Sequence, residues 1–296
     1  MIVSASRRTD LPRWYGEWFE NRLRAGYALA RNPMNAAQVR KVSLLPEDVD
    51  CFVFWTKDPA NFLPRLDLLD SRGYCYYFQF TLTPYGRKLE PGMRDKREIA
   101  RTFAELSERL GRERVVWRYD PIVLSDFIGL DYHRTEFARL CDMLAPYTDT
   151  VTVSFVDMYA KLKTACFRPP SESEMFELAS YIGEAARSFG LRAVACCESL
   201  DLSDCGIERA ACIDRARIER ITGRSLCVRP DRNQRSLCGC CVSVDIGAYD
   251  TCPAGCVYCY ANRPGKARDF ALAKHRFAAH DPHAVMLWGN VPQAEA

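Results

Sequence analysis

Short apolar runs alternate with amphipathic stretches along the chain. Val, Ile, Phe and Tyr concentrate in residues 2–4, 52–55, 74–82, 114–119, 150–155, 191–196 and 241–246, which read as half-buried or fully buried strands. Between them the period turns helical. Thr9-Asp10 with Pro12 supplies a start signal, Trp14, Trp18, Phe19 and Leu23 form one face, and Gly26 stops it. Ile99, Phe103, Leu106 and Leu110 make a second face. Ser171 and Glu174 form a capping box ahead of Met175, Leu178, Ile182, Ala185 and Phe189. Strands alternating with helices predict an α/β protein with a parallel sheet. A (β/α) barrel, full or partial, fits seven strands best. A doubly wound open sheet is the alternative, although no glycine-rich phosphate fingerprint opens any of the helices.

In a barrel, chemistry sits where strands end and loops begin. Those positions hold Arg7, Arg8 and Asp10, then Lys57 and Asp58, Thr81 and Thr83, Arg118 and Asp120, Asp157 and finally Glu198. Taken together they favour a polar pocket. The composition adds bounds. With 48% hydrophobic and 27% charged residues over 296 positions, the chain is globular and long enough for one large domain or two ordinary ones. No stretch approaches the roughly 18 apolar residues of a membrane span. The opening MIVSASRRTD lacks a secretory layout, so a cytoplasmic protein is expected. A net charge of +3, from 41 basic and 38 acidic residues, neither demands nor excludes a nucleic-acid partner. The four histidines, His133, His275, His280 and His283, lie on a helical stretch or in the polar tail, which argues against a histidine metal site or a Ser/His/Asp triad. The basic stretch 263–276 reads equally as a solvated helix face or a phosphate contact.

Cysteine changes the picture. Of fifteen, eleven fall between Cys196 and Cys259. In a reducing compartment such density points to metal or redox chemistry rather than disulfides. Cys51, Cys75, Cys141 and Cys166 stand singly among apolar neighbours and read as small hydrophobes. The most specific signal is C-x3-C-x2-C at Cys252, Cys256 and Cys259, with Tyr258 just before the last thiol. Three thiolates on a tight loop can hold three irons of a [4Fe–4S] cube and leave the fourth open to a chelating small molecule. Pro253 and Gly255 let the loop bend. A structural zinc site pairing Cys238/Cys241 with Cys256/Cys259 is the alternative, but it leaves Cys252 idle.

This spacing resembles the signature of the radical S-adenosylmethionine superfamily. The resemblance implies that Cys252, Cys256 and Cys259 ligate the cluster, that Tyr258 lies against the adenine, and that one electron from the cube cleaves S-adenosylmethionine to a 5′-deoxyadenosyl radical. The whole chain is similar to domain-of-unknown-function family 1848, through SASRRTDLP at the start, NPMN at 32–35, FWTKDP at 54–59, FQFTLTPYG at 78–86 and WRYDPI at 117–122. CIDRARI at 212–218 and DIGAYDTCPAGCVYCYAN at 245–262 complete the match. FWTKDP and the cluster loop also resemble, more locally, the spore-photoproduct-lyase and DNA-repair-photolyase-like branch, the one pointer to a nucleic-acid substrate. In most of the superfamily the three-Cys loop follows the first barrel strand; here it is near the C-terminus, which implies a circular permutation. The segment that usually grips the cofactor's amino group then falls at residues 4–10, where Arg7, Arg8, Thr9 or Asp10 must replace the missing glycines.

The resemblance also implies a second metal site at Cys196, Cys212, Cys238 and Cys240, holding an auxiliary [4Fe–4S] cluster or zinc, with Cys197, Cys205, Cys227 and Cys241 as substitutes. Three regions result: most of the barrel in 1–195, a Cys-rich insertion in 196–240, and the final strand, cluster loop and helical tail in 241–296. The function expected is a radical S-adenosylmethionine enzyme served by an electron donor such as flavodoxin or ferredoxin. The alternative is a non-catalytic barrel, stabilised by zinc or iron–sulfur, that binds a ligand or partner.

Overall fold

A computed structural model describes residues 1–158, 162, 167–235, 237–263 and 270–290. Cys166 and residues 264–269 of the basic stretch lie outside them. The fold is α/β with a mostly parallel sheet of eight strands, and the described pairings do not close it into a barrel. The chain forms two compact units, Met1–Tyr77 with Ser243–Ala296, and Phe78–Val242.

The first unit opens with β1 (Ile2–Ala5), buried throughout. Asp10 then caps α1 (Leu11–Trp14), its carboxylate accepting from the Arg13 amide. The single helix expected up to Gly26 is broken at Tyr15, whose backbone leaves the helical region before α2 (Gly16–Ala25) resumes. The Tyr15 hydroxyl instead donates to the Thr251 carbonyl at 2.6 Å. Gly26 ends α2 at φ +76, in the left-handed region that suits glycine. An antiparallel hairpin follows, β2 (Tyr27–Asn32) and β3 (Asn35–Ser43). It was not legible because β3 is exposed along most of its length and so carries no apolar alternation. Next come β4 (Cys51–Thr56) and α3 (Leu66–Ser71). Phe19 meets Phe52 and Phe54 edge to face at 5.3 and 5.4 Å, which packs α2 onto β4.

Strand β5 (Tyr76–Thr81) carries the chain into the second unit. There α4 (Lys96–Leu110), capped by Asp95, turns the expected apolar face inward, with Ile99, Phe103 and Leu106 buried. Strands β6 (Val115–Ile122) and β7 (Leu124–Ser125) lead to α5 (Leu130–Leu144). Beyond β8 (Thr150–Phe155) and the short β9 (Phe167–Arg168), α6 (Glu172–Ser188) starts with the expected capping box of Ser171 and Glu174. Strands β10 (Arg192–Ala195) and β11 (Glu208–Arg209) and helix α7 (Arg215–Thr222) complete it. The pairs β5–β6, β6–β8, β8–β10 and β10–β11 are all parallel, and β8 is buried along its whole length, as a parallel strand covered on both faces should be.

The chain returns to the first unit as β12 (Val244–Asp245), shorter than the expected 241–246, and ends through α8 (Ala271–Ala278). Strand β1 lies between β12 and β4, parallel to both. The tail is tied to α1 and α2. Trp18 donates to the Ala284 carbonyl at 2.8 Å, and Phe277 packs edge-on against Trp14 and Tyr15. Among the described residues no helix is long and apolar enough to cross a membrane.

Candidate functional site

In the first unit, the loop from Thr251 to Asn262 hangs directly off β12. Its turn is built by Gly255 at φ +72, and the Cys259 amide donates to the Cys256 carbonyl at 3.1 Å. Cys256 and Tyr258 are buried, while Cys252 and Cys259 are partly exposed. Burial pushes the Cys252 thiol up to about 12, the charges of Asp10 and Cys259 add to the rise, and the Ala254 and Asp10 amides offset it only in part. The Tyr258 hydroxyl accepts from Lys57 Nζ at 2.9 Å, with the ammonium 5.4 Å from the ring centre. The ring is thereby fixed from the end of β4.

Asp245, at the end of β12, fixes the loop that follows β1. Its carboxylate accepts from Ser4 Oγ at 2.7 Å, Ser6 Oγ at 2.6 Å, the Arg7 amide at 2.8 Å and the Gly247 amide at 2.9 Å. Arg8 Nε lies 4.0 Å away. A Cβ on Gly247 would sit 2.1 Å from Ser6 Oγ, so only glycine fits. Within this frame the Arg7 guanidinium lies 5.6 Å from the Trp55 ring centre and that of Arg8 5.5 Å from Tyr249. Asp10 also accepts from the Lys57 amide at 2.8 Å, and desolvation pushes its carboxyl up to about 6. Thr9 Oγ1 is buried without a hydrogen-bond partner, an orphan donor of the kind a ligand satisfies.

In the second unit, Cys196 and Cys212 bring their sulfurs within 2.9 Å, well beyond the ~2.05 Å of a disulfide. Cys212 also hydrogen-bonds Cys240, and Cys238 lies within electrostatic reach of Cys240. Cys197 hydrogen-bonds Cys238. Hydrogen bonds from Cys196 and Cys240, with the Arg118 charge beside them, hold the Cys212 thiol well below its ordinary range. Arg118 Nη1 donates to Cys212 Sγ at 3.0 Å and to Gln79 Oε1 at 3.1 Å, and Nη2 pairs with Asp120. Gln79 in turn donates to the Cys212 carbonyl at 2.8 Å. Beyond it Glu198 accepts from the Phe155 amide at 2.8 Å, its carboxyl raised by burial, and Asp157 pairs with Arg235.

Many of the sequence-selected residues fall into these two groups, whereas Asp58 pairs with Arg13, Thr83 donates to Glu90 at 2.6 Å and Cys227 is exposed. Cys205 and Cys241 stand apart from the second: Cys205 contacts Ser180, and the Cys241 amide joins Ile213. Cys51 and Cys141 are buried and Cys75 is half-buried. Sequence reasoning missed Asp245, Ser4, Ser6 and Gln79. Only Gln79 carried a signal, as a lone amide within an apolar strand. The first group sets three thiols on a glycine turn, and the second brings thiols beside a guanidinium. Among the described residues, however, no three His, Cys, Asp or Glu side chains are already spaced to enclose a metal ion.

An α/β protein with a mostly parallel sheet and cysteine-rich loops is the class these features define. The chain belongs to the family described as domain of unknown function DUF1848, whose profile matches residues 2–261. No curated protein matches it.

Proposed function

We propose that this protein is a radical S-adenosylmethionine enzyme built on a circularly permuted (β/α) barrel. The observation that carries the reading is the C-x3-C-x2-C loop, with Gly255 turning it at φ +72. Support for the permutation comes from β12, which pairs in parallel with β1 and leads straight into the loop. When bound, the cluster supplies an electron that splits S-adenosylmethionine into methionine and a hydrogen-abstracting radical.

The chain's own residues have distinct tasks. Cys252, Cys256 and Cys259 would hold the cluster, which would leave one iron open to a chelating small molecule such as S-adenosylmethionine. Tyr258, held by Lys57, offers a face to the adenine. The segment Arg7–Asp10 binds the amino acid end, with Thr9 Oγ1 as a ready donor. Cys196, Cys212, Cys238 and Cys240 would hold a second metal group, an auxiliary [4Fe–4S] cluster or zinc. A small redox protein of the flavodoxin or ferredoxin kind supplies the electron, in the reducing cytoplasm. Anaerobic reconstitution is expected to give about eight irons per chain, and reduction with S-adenosylmethionine to release 5′-deoxyadenosine. The C252A/C256A/C259A variant should lose about four irons and all of the product. Colourless, zinc-containing protein that yields none would overturn the reading in favour of a binding module.

A further inference from the structure

Cys196 and Cys212 stand sixteen positions apart in the chain, yet their sulfurs are 2.9 Å apart. Both are held from the backbone outward. Just past the end of β10 the Cys196 amide donates to the Val153 carbonyl at 3.3 Å, and Gln79 Nε2 donates to the Cys212 carbonyl at 2.8 Å. Arg118 Nη1 donates to Cys212 Sγ at 3.0 Å, which fixes that sulfur against its neighbour. Cys197 follows at φ +63, a left-handed turn that a residue with a Cβ rarely adopts, and its own sulfur hydrogen-bonds Cys238. The turn sends two consecutive cysteines to different partners and leaves Cys196 to Cys212. Bringing that pair to the ~2.05 Å of a covalent bond needs less than about 1 Å of movement. Exposure differs across the pair, since Cys196 is half-buried and Cys212 buried.

We propose that Cys196 and Cys212 form a dithiol–disulfide site that exchanges electrons with small disulfides of the glutathione class. The site requires no metal, and a bond between these sulfurs excludes a metal held by the same two. The difference in exposure sets the order of steps. The Cys196 sulfur gives up its proton and attacks one sulfur of the small disulfide. That S–S bond breaks, a mixed disulfide forms on Cys196, and the first small thiolate leaves and takes up the proton. The Cys212 sulfur then attacks Cys196 Sγ from its place alongside. The mixed disulfide breaks, and the second small thiolate leaves and takes up the Cys212 proton. Two protein thiols are thereby oxidised by two electrons, and one small disulfide is reduced to two thiols. Reversal begins with a small thiolate attacking the more open Cys196 sulfur, and returns Cys212 to its place beside Arg118.

The test uses the full chain, purified anaerobically and treated with a chelator, with its metal content measured before and after. The protein is equilibrated with oxidised and reduced glutathione at a series of ratios, quenched in acid, alkylated and digested. Trypsin, cutting after Arg192, Arg209 and Arg215, puts Cys196 in peptide 193–209 and Cys212 in peptide 210–215. The two peptides should be recovered joined, lighter than their sum by two hydrogen atoms, in wild type, Cys197→Ser and Cys205→Ser, but not in Cys196→Ser. Cys212→Ser should instead accumulate a glutathione adduct on Cys196. In Cys196→Ser, glutathione should add to Cys212 roughly tenfold more slowly than it adds to Cys196 in Cys212→Ser, because the Cys212 sulfur is buried. Wild-type peptides that stay separate and alkylated at every ratio would overturn the proposal, as would linkage of Cys212 to Cys240 in place of Cys196. Protein that keeps its metal through chelation and shows no linkage would overturn it while leaving the second metal group standing. Linkage that appears only as metal is removed supports both readings, and linkage in protein that never held metal supports this one alone. If a variant does not fold, the wild-type linkage decides.

Discussion

His133 illustrates how a single buried side chain registers pH without touching either cysteine group. Its ring nitrogens meet the Tyr119 hydroxyl at 2.8 Å and the Val123 carbonyl at 2.8 Å, and the residue is fully buried in α5. Burial lowers its pKa from 6.5 to about 4. The unfolded chain thus binds the proton near pH 6.5 and the folded chain only near pH 4. Stability from this residue is complete above pH 6.5, declines as the pH falls, and is exhausted near pH 4, a change on the order of 3 kcal/mol. Urea denaturation at pH 7 and pH 5 should show wild type losing more stability than His133→Gln. Equal losses would mean that another group governs the acid limb. The sequence showed only that His133 lies on an amphipathic helical stretch; its Tyr119 partner was not legible, because that contact joins β6 to α5 across fourteen positions.

Among the elements, those with long apolar periodicity were legible and those shaped by a tertiary contact were not. Strands β1, β4, β5, β6, β8 and β10 and helices α4 and α6 follow directly from their patterns. The break at Tyr15 was hidden, and so was the bond from its hydroxyl to the Thr251 carbonyl, 236 positions away. Asp245 was hidden too, because nothing local tells that Ser4, Ser6 and Arg7 will surround it. Gly183 makes the same point energetically. In the middle of α6, Gly to Ala would ordinarily stabilise a helix by up to about 1 kcal/mol. Here the added Cβ would stand 1.9 Å from the Cys205 carbonyl oxygen. Overpacking against backbone wins, and Gly183→Ala should destabilise the protein by about 2 kcal/mol. A thermal melt checks it: a midpoint raised by the substitution would show that the segment Ser203–Cys205 yields freely.

For the molecule as a whole, the α/β class and the parallel sheet followed from strands alternating with helices, whereas strand order could not, because neighbours are chosen by long-range pairing. The parallel pairing of Val3 with Val244, which sets β12 beside β1, joins residues 241 positions apart. The cysteine loop was the reverse case, since its spacing was plain in the sequence while its neighbours, Lys57 and Asp10, needed coordinates. The most direct measurement is the EPR spectrum of the reduced protein carrying C196A/C212A/C240A, recorded before and after addition of S-adenosylmethionine. A cluster held by Cys252, Cys256 and Cys259 with one open iron should give a spectrum whose g-values shift when the cofactor chelates that iron. A spectrum identical in both samples, from protein with the full iron complement of that site, would contradict it.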